Sequence, residues 1–489
     1  MCQKLCSFIE VVVAFHQIAG AFYDTALLMV VHERSKLNSS TPNATTSGGQ
    51  EDKQQDAVSQ FYMIYNLLLG ITPLFFTFSL AKLGDQKSRK ITICVPLLGY
   101  LVSRSLLLFV ILFHLPLEVM FGTAVLNGLS GGFTSYWTGV MALTSDISSE
   151  EKRSIRLIRV ELTYGVAGMI GSIISGHIFI HFKISHYQGA VLVACSFILY
   201  AFSLLYSILG LKFSPEQTQP GSLGKEQFSS TTSLEHASLL DQGQHGNGLS
   251  VDQATDGDEV GQENASLNES QSETSRLLAN QDNTRARDNP KVDKVTVALL
   301  FTAGVFYDLA VTGGVDVLSI FVLKAPMKWN AVWVGYGNAA GYATFLTSFL
   351  GVVVFSRCLK DTSLIVMGIV SFSTGILIMA FMKWTFLFFI ARAVMMFALI
   401  PLPTIRSVIS KQIEGTSYGK AFGVLQILLT LTGVIASTIF LKIYMSTQGW
   451  YPTLCFILSS IISCLSVIPI IIVERRLSEP SGYSRIPED

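Results

Sequence analysis

The feature that most constrains this chain is a repeated one: stretches of about 20 apolar residues, each long enough for a helix to cross a bilayer. Six precede residue 212, at 8–31, 58–80, 91–113, 118–143, 156–180 and 189–211. Six more follow residue 294, at 295–323, 332–355, 362–382, 385–409, 420–443 and 452–473. Only 14% of the 489 residues are charged, against about a quarter in soluble domains, which argues against a water-soluble globule. The expectation is an all-α membrane protein of twelve transmembrane helices in two six-helix halves, residues 1–211 and 295–473. The first run is too long for a signal-peptide core and lacks a small-residue cleavage site, so it should remain as a span.

Lys+Arg and Asp+Glu both total 34, so net charge offers nothing to a nucleic-acid polymer; the distribution of charge is what informs. Bases follow span two (Lys82, Lys87, Arg89, Lys90), span four (Lys152, Arg153, Arg156), span eight (Arg357, Lys360) and span twelve (Arg475, Arg476), and precede span seven (Arg285, Arg287, Lys291, Lys294). The positive-inside rule then puts both termini, the central segment and the tail 474–489 in the cytosol. The central segment 212–294 holds fourteen acids and seven bases with almost no aromatics, a composition that reads as a disordered linker. The loop 32–57 faces the lumen or exterior, where Asn38 (NSS) and Asn43 (NAT) are glycosylation acceptors.

Between spans two and three stands LAKLGDQKSRK, Leu80–Lys90. The layout of six spans, cytosolic linker and six spans resembles the major facilitator superfamily, whose halves rock about a midplane site. That family carries a G-x-x-x-D-x-x-G-R-K motif at this place; here Asp85, Arg89 and Lys90 keep their positions, while Ala81 and Ser88 replace the glycines. A tight cytosolic turn carrying an acid and bases suits a latch that pairs across the gap between halves and breaks when the gap opens. The plain alternative is a set of positive-inside anchors.

Three stretches, SDISSEEKRSIRLIRVELTYGVAGMIGS (145–172), KAPMKWNAVWVGYGNAAGY (324–342) and PTIRSVISKQI (403–413), resemble the proton-coupled folate transporter family. The long first loop and FYMIYNLLLGITPL (61–74) bring the chain closest to its thymic stromal cotransporter branch. The resemblance implies proton-coupled import of anionic organic solutes: folates and antifolates, muropeptides or cyclic dinucleotides. It also implies that Glu161 on span five couples to protons and that Arg406 on span ten binds proton and substrate. At two places the sequence departs from the family's folate carrier: the Val311 region lacks its histidine, and Gly131-Gly132 stands where it has an acid in span four.

The residues themselves point to a polar chamber. Charges within spans cost at least a few kcal/mol, so they usually face a cavity or a partner. On span one, Glu10, Gln17 and Asp24 recur every seven residues and share a helical face. Span seven carries Asp308, Thr312 and Asp316 on one arc beside Gly313-Gly314, expected to weaken that helix. Span ten sets Arg392 and Arg406 on nearly one face, with Pro401 and Pro403 favouring a kink between them. Gln426, Thr430, Gly433 and Ser437 align on span eleven. Proton coupling needs an acid that changes charge in the cycle, and a pH unit supplies about 1.4 kcal/mol per proton. Glu161 is the candidate, its alternative being a structural partner of Arg156 or Arg159. Arg406 suits a forked contact to a carboxylate or phosphate, its alternative being a snorkelling anchor. Arg104, in the middle of span three, is expected to need a counter-charge. His16 and His177 read as interhelical donors, and the small residues of Gly165–Gly176 read as a packing stripe. No metal-ligand spacing, catalytic motif or cofactor motif is present, so neither an enzyme nor a cofactor is expected.

Three short motifs fall on the side expected to be cytosolic: EHASLL (Glu235, Leu239, Leu240), ETSRLL (Glu273, Leu277, Leu278) and YSRI (Tyr483, Ile486). Their patterns suit clathrin adaptors and thus cycling between the plasma membrane and endosomal or lysosomal membranes. The rival to a transporter is a membrane receptor or scaffold that keeps the fold without turnover.

Overall fold

In hydrocarbon no water is available to backbone N–H and C=O groups, so a spanning segment closes its hydrogen bonds internally. The computed structural model follows that rule. It describes residues 9–39, 47–86, 88–147, 153–182, 187, 189–210, 294–412 and 418–478, and among these every regular element is helical. Spans one to three are Ile9–Ser39, Ser47–Gln86 and Arg89–Leu112. Spans five and six are Arg153–His181 and Ala190–Leu209, and spans seven to nine are Lys294–Phe321, Ala331–Phe355 and Asp361–Ala380. Span eleven is Tyr418–Thr447, and span twelve is Leu454–Leu465 continued by Val467–Ser478.

Spans four and ten, which occupy equivalent places in the two halves, are interrupted. Span four consists of Val119–Leu129 and Gly132–Ile147. At the break Gly131 has φ +89° and Gly132 φ +54°, a left-handed conformation that glycine adopts without steric cost. The glycine pair expected within a continuous span therefore divides it. Among the described residues eleven helical stretches are each long and apolar enough to cross a membrane; span four, divided here, is not one of them. Span ten consists of Thr385–Val394, a 3-10 turn at Met395–Phe397, and Pro401–Gln412, the bend expected from Pro401 and Pro403. Several of its carbonyls are answered by side chains. Thr347 and Ser348 hydroxyls donate to Met396 O (2.8 and 2.9 Å), Ser371 to Val394 O (2.6 Å) and Tyr307 to Ala398 O.

Two further expectations are corrected. The first loop is largely helix: span two alone runs 40 residues, about 60 Å of rise against a hydrocarbon core of about 30 Å. Span seven is continuous through Gly313-Gly314, because these glycines admit neighbours rather than weaken the helix. A Cβ on Gly313 would meet the Phe440 ring at 2.4 Å, and one on Gly314 the Ser459 hydroxyl at 2.8 Å.

The halves meet along spans two and eleven and along spans five and eight. Small residues set the approach: a Cβ on Gly176 would lie 2.4 Å from Ala331 O, and one on Gly335 2.4 Å from Ser172 O. The packing stripe Gly165–Gly176 thus marks the seam between halves. Outward faces carry bare apolar side chains such as Phe75, Phe78, Ile198 and Phe386.

Candidate polar seam between the halves

Below, the first-loop end is the one bearing residues 51–56, and the linker end the one bearing residues 210 and 294. From the linker end inward, Arg406 donates from Nη2 to Gln426 Oε1 (3.0 Å). Its guanidinium interacts electrostatically with Asp308 and then with Glu161. Spans five, seven, ten and eleven thus bring four of the sequence candidates to one place, with Glu161 the contribution of the other half. The next rung is Thr312 beside Gly433, where a Cβ would sit 3.9 Å from the Thr312 methyl. On the third, Asn66 Nδ2 of span two donates to Asp316 Oδ2 (3.3 Å) and Ser437 Oγ (3.1 Å). Spacing-four stripes on spans seven and eleven therefore face each other as a ladder.

The first-loop end is closed by span two. Gln55 Nε2 donates to Ile320 O (2.6 Å) and to the Tyr444 hydroxyl (3.3 Å), and Gln448 Nε2 donates to Asp56 Oδ1 (2.5 Å). Lys324 pairs with Asp52, and Lys328 with Glu51 at 2.6 Å. On the neighbouring seam His177 Nε2 lies 3.0 Å from the Tyr336 hydroxyl, the interhelical role its sequence position suggested.

Asn66, Gln55 and Asp52 were not legible as site residues. Asn66 is the only amide in residues 61–80, and that isolation is the one signal it offers.

Span one behaves less simply than its heptad stripe. Between residues 9 and 35 every described side chain is buried or half-buried except Asp24, which is exposed. An exposed carboxylate midway along the most enclosed helix opens onto space within the bundle. Gln17 is buried and hydrogen-bonds Tyr342 of span eight, while both Glu10 carboxylate oxygens are buried without a hydrogen-bond partner. The three therefore do not act as one array.

Arg104 was expected to need a counter-charge; Asp24 supplies electrostatic attraction, but aromatic faces do most of the enclosing. The guanidinium carbon lies 3.6 Å from the Tyr23 ring centroid, 5.0 Å from Tyr100 and 5.7 Å from Tyr200, contacts worth about 2 kcal/mol when desolvated. His16 stacks on Tyr136 at 4.0 Å between centroids, and neither ring nitrogen has a hydrogen-bond partner. It is boxed by rings rather than serving as a donor. Arg392 differs again: the one ring shown beside it is Phe388, 5.3 Å from the guanidinium carbon, and Nε is buried and unpartnered.

At the latch motif, Ser88 caps span three by accepting from Lys90 N at 3.3 Å, so the serine in place of the family glycine has a local job. Lys90 Nζ donates to Ile208 O at 3.3 Å. The side chains of Asp85, Arg89 and Asn38 lie outside what is described. So do Asn43, the linker motifs Glu235, Leu239, Leu240, Glu273, Leu277 and Leu278, and Tyr483 and Ile486 of the tail. Among the described residues no three His, Cys, Asp or Glu side chains gather to hold a metal. Two surface depressions, one beside His177, His181 and Val332 and one beside Lys360, Lys411 and Glu474, do not reach the seam cluster.

Residues 55–358 match the model of the Major Facilitator Superfamily. Solute carrier family 46 member 2 of Canis lupus familiaris is 44% identical over 490 residues, 99% of this chain and 96% of that protein. The human lysosomal proton-coupled steroid conjugate and bile acid symporter SLC46A3 is 26% identical over 440 residues, 90% of this chain and 85% of that protein. Among solved structures, an auto-inhibited POT family peptide transporter superposes with TM-score 0.57 at 13% identity, covering 98% of each chain. All three are transport proteins rather than enzymes.

Proposed function

This chain belongs to the solute carrier 46 family of the major facilitator superfamily, and from that premise we propose that it imports anionic organic solutes together with protons. It is a transporter by family; proton coupling and the anionic substrate are the finer reading. The observation that carries it is the Arg406 cluster, where one guanidinium serves Asp308 of its own half and Glu161 of the other. Charge on Glu161 then draws the halves together at the linker end, and protonation of its carboxylate removes that attraction across the seam. The arginine is left to Asp308 and Gln426, and the linker end is freer to part. A carboxyl suits the task because its ordinary pKa, about 4.3, is approached in an acidic compartment and left far below cytosolic pH. With the orientation given by the flanking bases, the first-loop end faces that compartment, and the Asp52–Lys324 and Glu51–Lys328 pairs close it. In the described state both the first-loop pairs and the Arg406 attractions are in place.

The human relative SLC46A3 is named a lysosomal proton-coupled symporter, which favours the coupling and an endolysosomal site. The dileucine and tyrosine motifs, read as adaptor ligands, favour traffic between that site and the plasma membrane. Uptake of an anion panel (methotrexate, a sulfated steroid, a muramyl dipeptide, a cyclic dinucleotide) at pH 5.5 and pH 7.4 tests the reading. At least one anion should enter severalfold faster at pH 5.5, and a protonophore should abolish the difference. Absence of flux for every member would favour the scaffold role.

A further inference from the structure

Arg104, Arg392 and Arg406, arginines of spans three and ten, are committed very differently. Arg104 is wrapped by tyrosine rings and attracted by Asp24. Arg406 is bonded to Gln426 and attracted by two carboxylates. Arg392 has no hydrogen bond and no ion pair among the described residues; its Nε is buried without a partner, and Phe388 is its one ring contact. A charge inside a membrane costs at least a few kcal/mol and is seldom kept unless something answers it.

The surroundings of Arg392 are shaped to leave its guanidinium clear. It lies about 120° around the helix from exposed Phe386 and about 160° from exposed Ile390, on the flank that meets span eight. There it faces Gly341, where even a Cβ would stand 3.8 Å from Nη1 and Nη2. Glycine at this position holds span eight about one carbon clear of the fork, so any longer side chain would press on it. On the helix of Arg392 the Phe388 ring lies 5.3 Å from the guanidinium carbon and packs edge-on against Trp329 at 4.7 Å between centroids.

We infer that Arg392, opposite Gly341, forms the anion subsite, holding the sulfate or carboxylate of a substrate whose body is an apolar ring system, while Arg406 serves coupling. This deepens the transport reading and rests on it for the word substrate, but the subsite itself is a matter of equilibrium binding. A planar guanidinium fork matches a carboxylate or sulfate edge with two parallel hydrogen bonds, and the Phe388 ring beside it suits an apolar ring system.

The test is binding to the purified full-length chain in detergent, with no proton gradient, so that a failure of coupling leaves it readable. The probes are 4-methylumbelliferyl sulfate, 4-methylumbelliferyl acetic acid, neutral 4-methylumbelliferone and inorganic sulfate. The wild type should bind the sulfate ester or the acid on the order of 10- to 100-fold more tightly than the neutral ring, the range of a charge-assisted hydrogen bond. Inorganic sulfate, lacking the ring, should bind weakly. Arg392→Gln should erase the preference, Arg392→Lys should keep part of it, and Gly341→Leu should lose it with the arginine intact. Arg406→Gln should leave it within about threefold. The ligand-free Arg392→Gln protein should melt no lower than the wild type, since the change removes an unanswered charge. The inference is overturned if Arg392→Gln keeps the preference, if Arg406→Gln loses it, or if the wild type prefers neither anion. A lower melting point for ligand-free Arg392→Gln would mark a structural arginine and likewise overturn it.

Discussion

At the first-loop end the halves are held by Lys324 on Asp52, Lys328 on Glu51, Gln448 on Asp56 and Gln55 on Tyr444. At the linker end one guanidinium, Arg406, divides its attraction between Asp308 and Glu161. The first arrangement spreads closure over several independent contacts, so losing any one weakens it by degrees. The second concentrates it on one cation with two acids, so one proton changes the balance at once. A distributed clasp suits a gate that must hold, and a concentrated one suits a gate that must respond.

Substitutions should separate the two ends in order of size. The largest effect is expected at Gly176, where a Cβ would already stand 2.4 Å from Ala331 O. Gly176→Leu has no room without parting spans five and eight, and should cost more than the usual ~1–3 kcal/mol of overpacking, read as loss of folded protein on size exclusion. Next comes Lys324→Ala. Lys324 is only 11% exposed and Asp52 38%, so the variant strands a half-covered carboxylate and should favour opening by about 1 kcal/mol, roughly fivefold. The rate at which a maleimide labels Gln55→Cys in the purified protein measures it. Lys328→Ala should barely move that rate, by less than about twofold, because Lys328 is 61% exposed and its pair is screened by solvent. Equal effects from the two lysines would break the picture of a graded clasp.

How much of this was legible depended on whether a feature lies along one helix or between several. Asp308, Thr312 and Asp316 on span seven and Gln426, Gly433 and Ser437 on span eleven could be read as stripes, because helical periodicity is written in the spacing. That these stripes face each other through Asn66 could not, since the partner comes from a distant span and only packing selects it. Arg104 shows the same limit. Its need for an answer was readable, but the three tyrosines around it come from three different spans. Gly131-Gly132 and Gly313-Gly314 look alike in sequence, yet the first breaks a helix and the second admits neighbours. Whether a glycine pair relaxes the backbone or makes room is decided by what packs against it.

The most direct test of the coupling cluster is Glu161→Gln, assayed for pH-driven uptake and for substrate exchange without a gradient. Loss of the stimulation by pH 5.5 with exchange retained is the outcome expected if the Glu161 carboxyl carries the proton that frees Arg406. Undiminished stimulation by acid in that variant would contradict it.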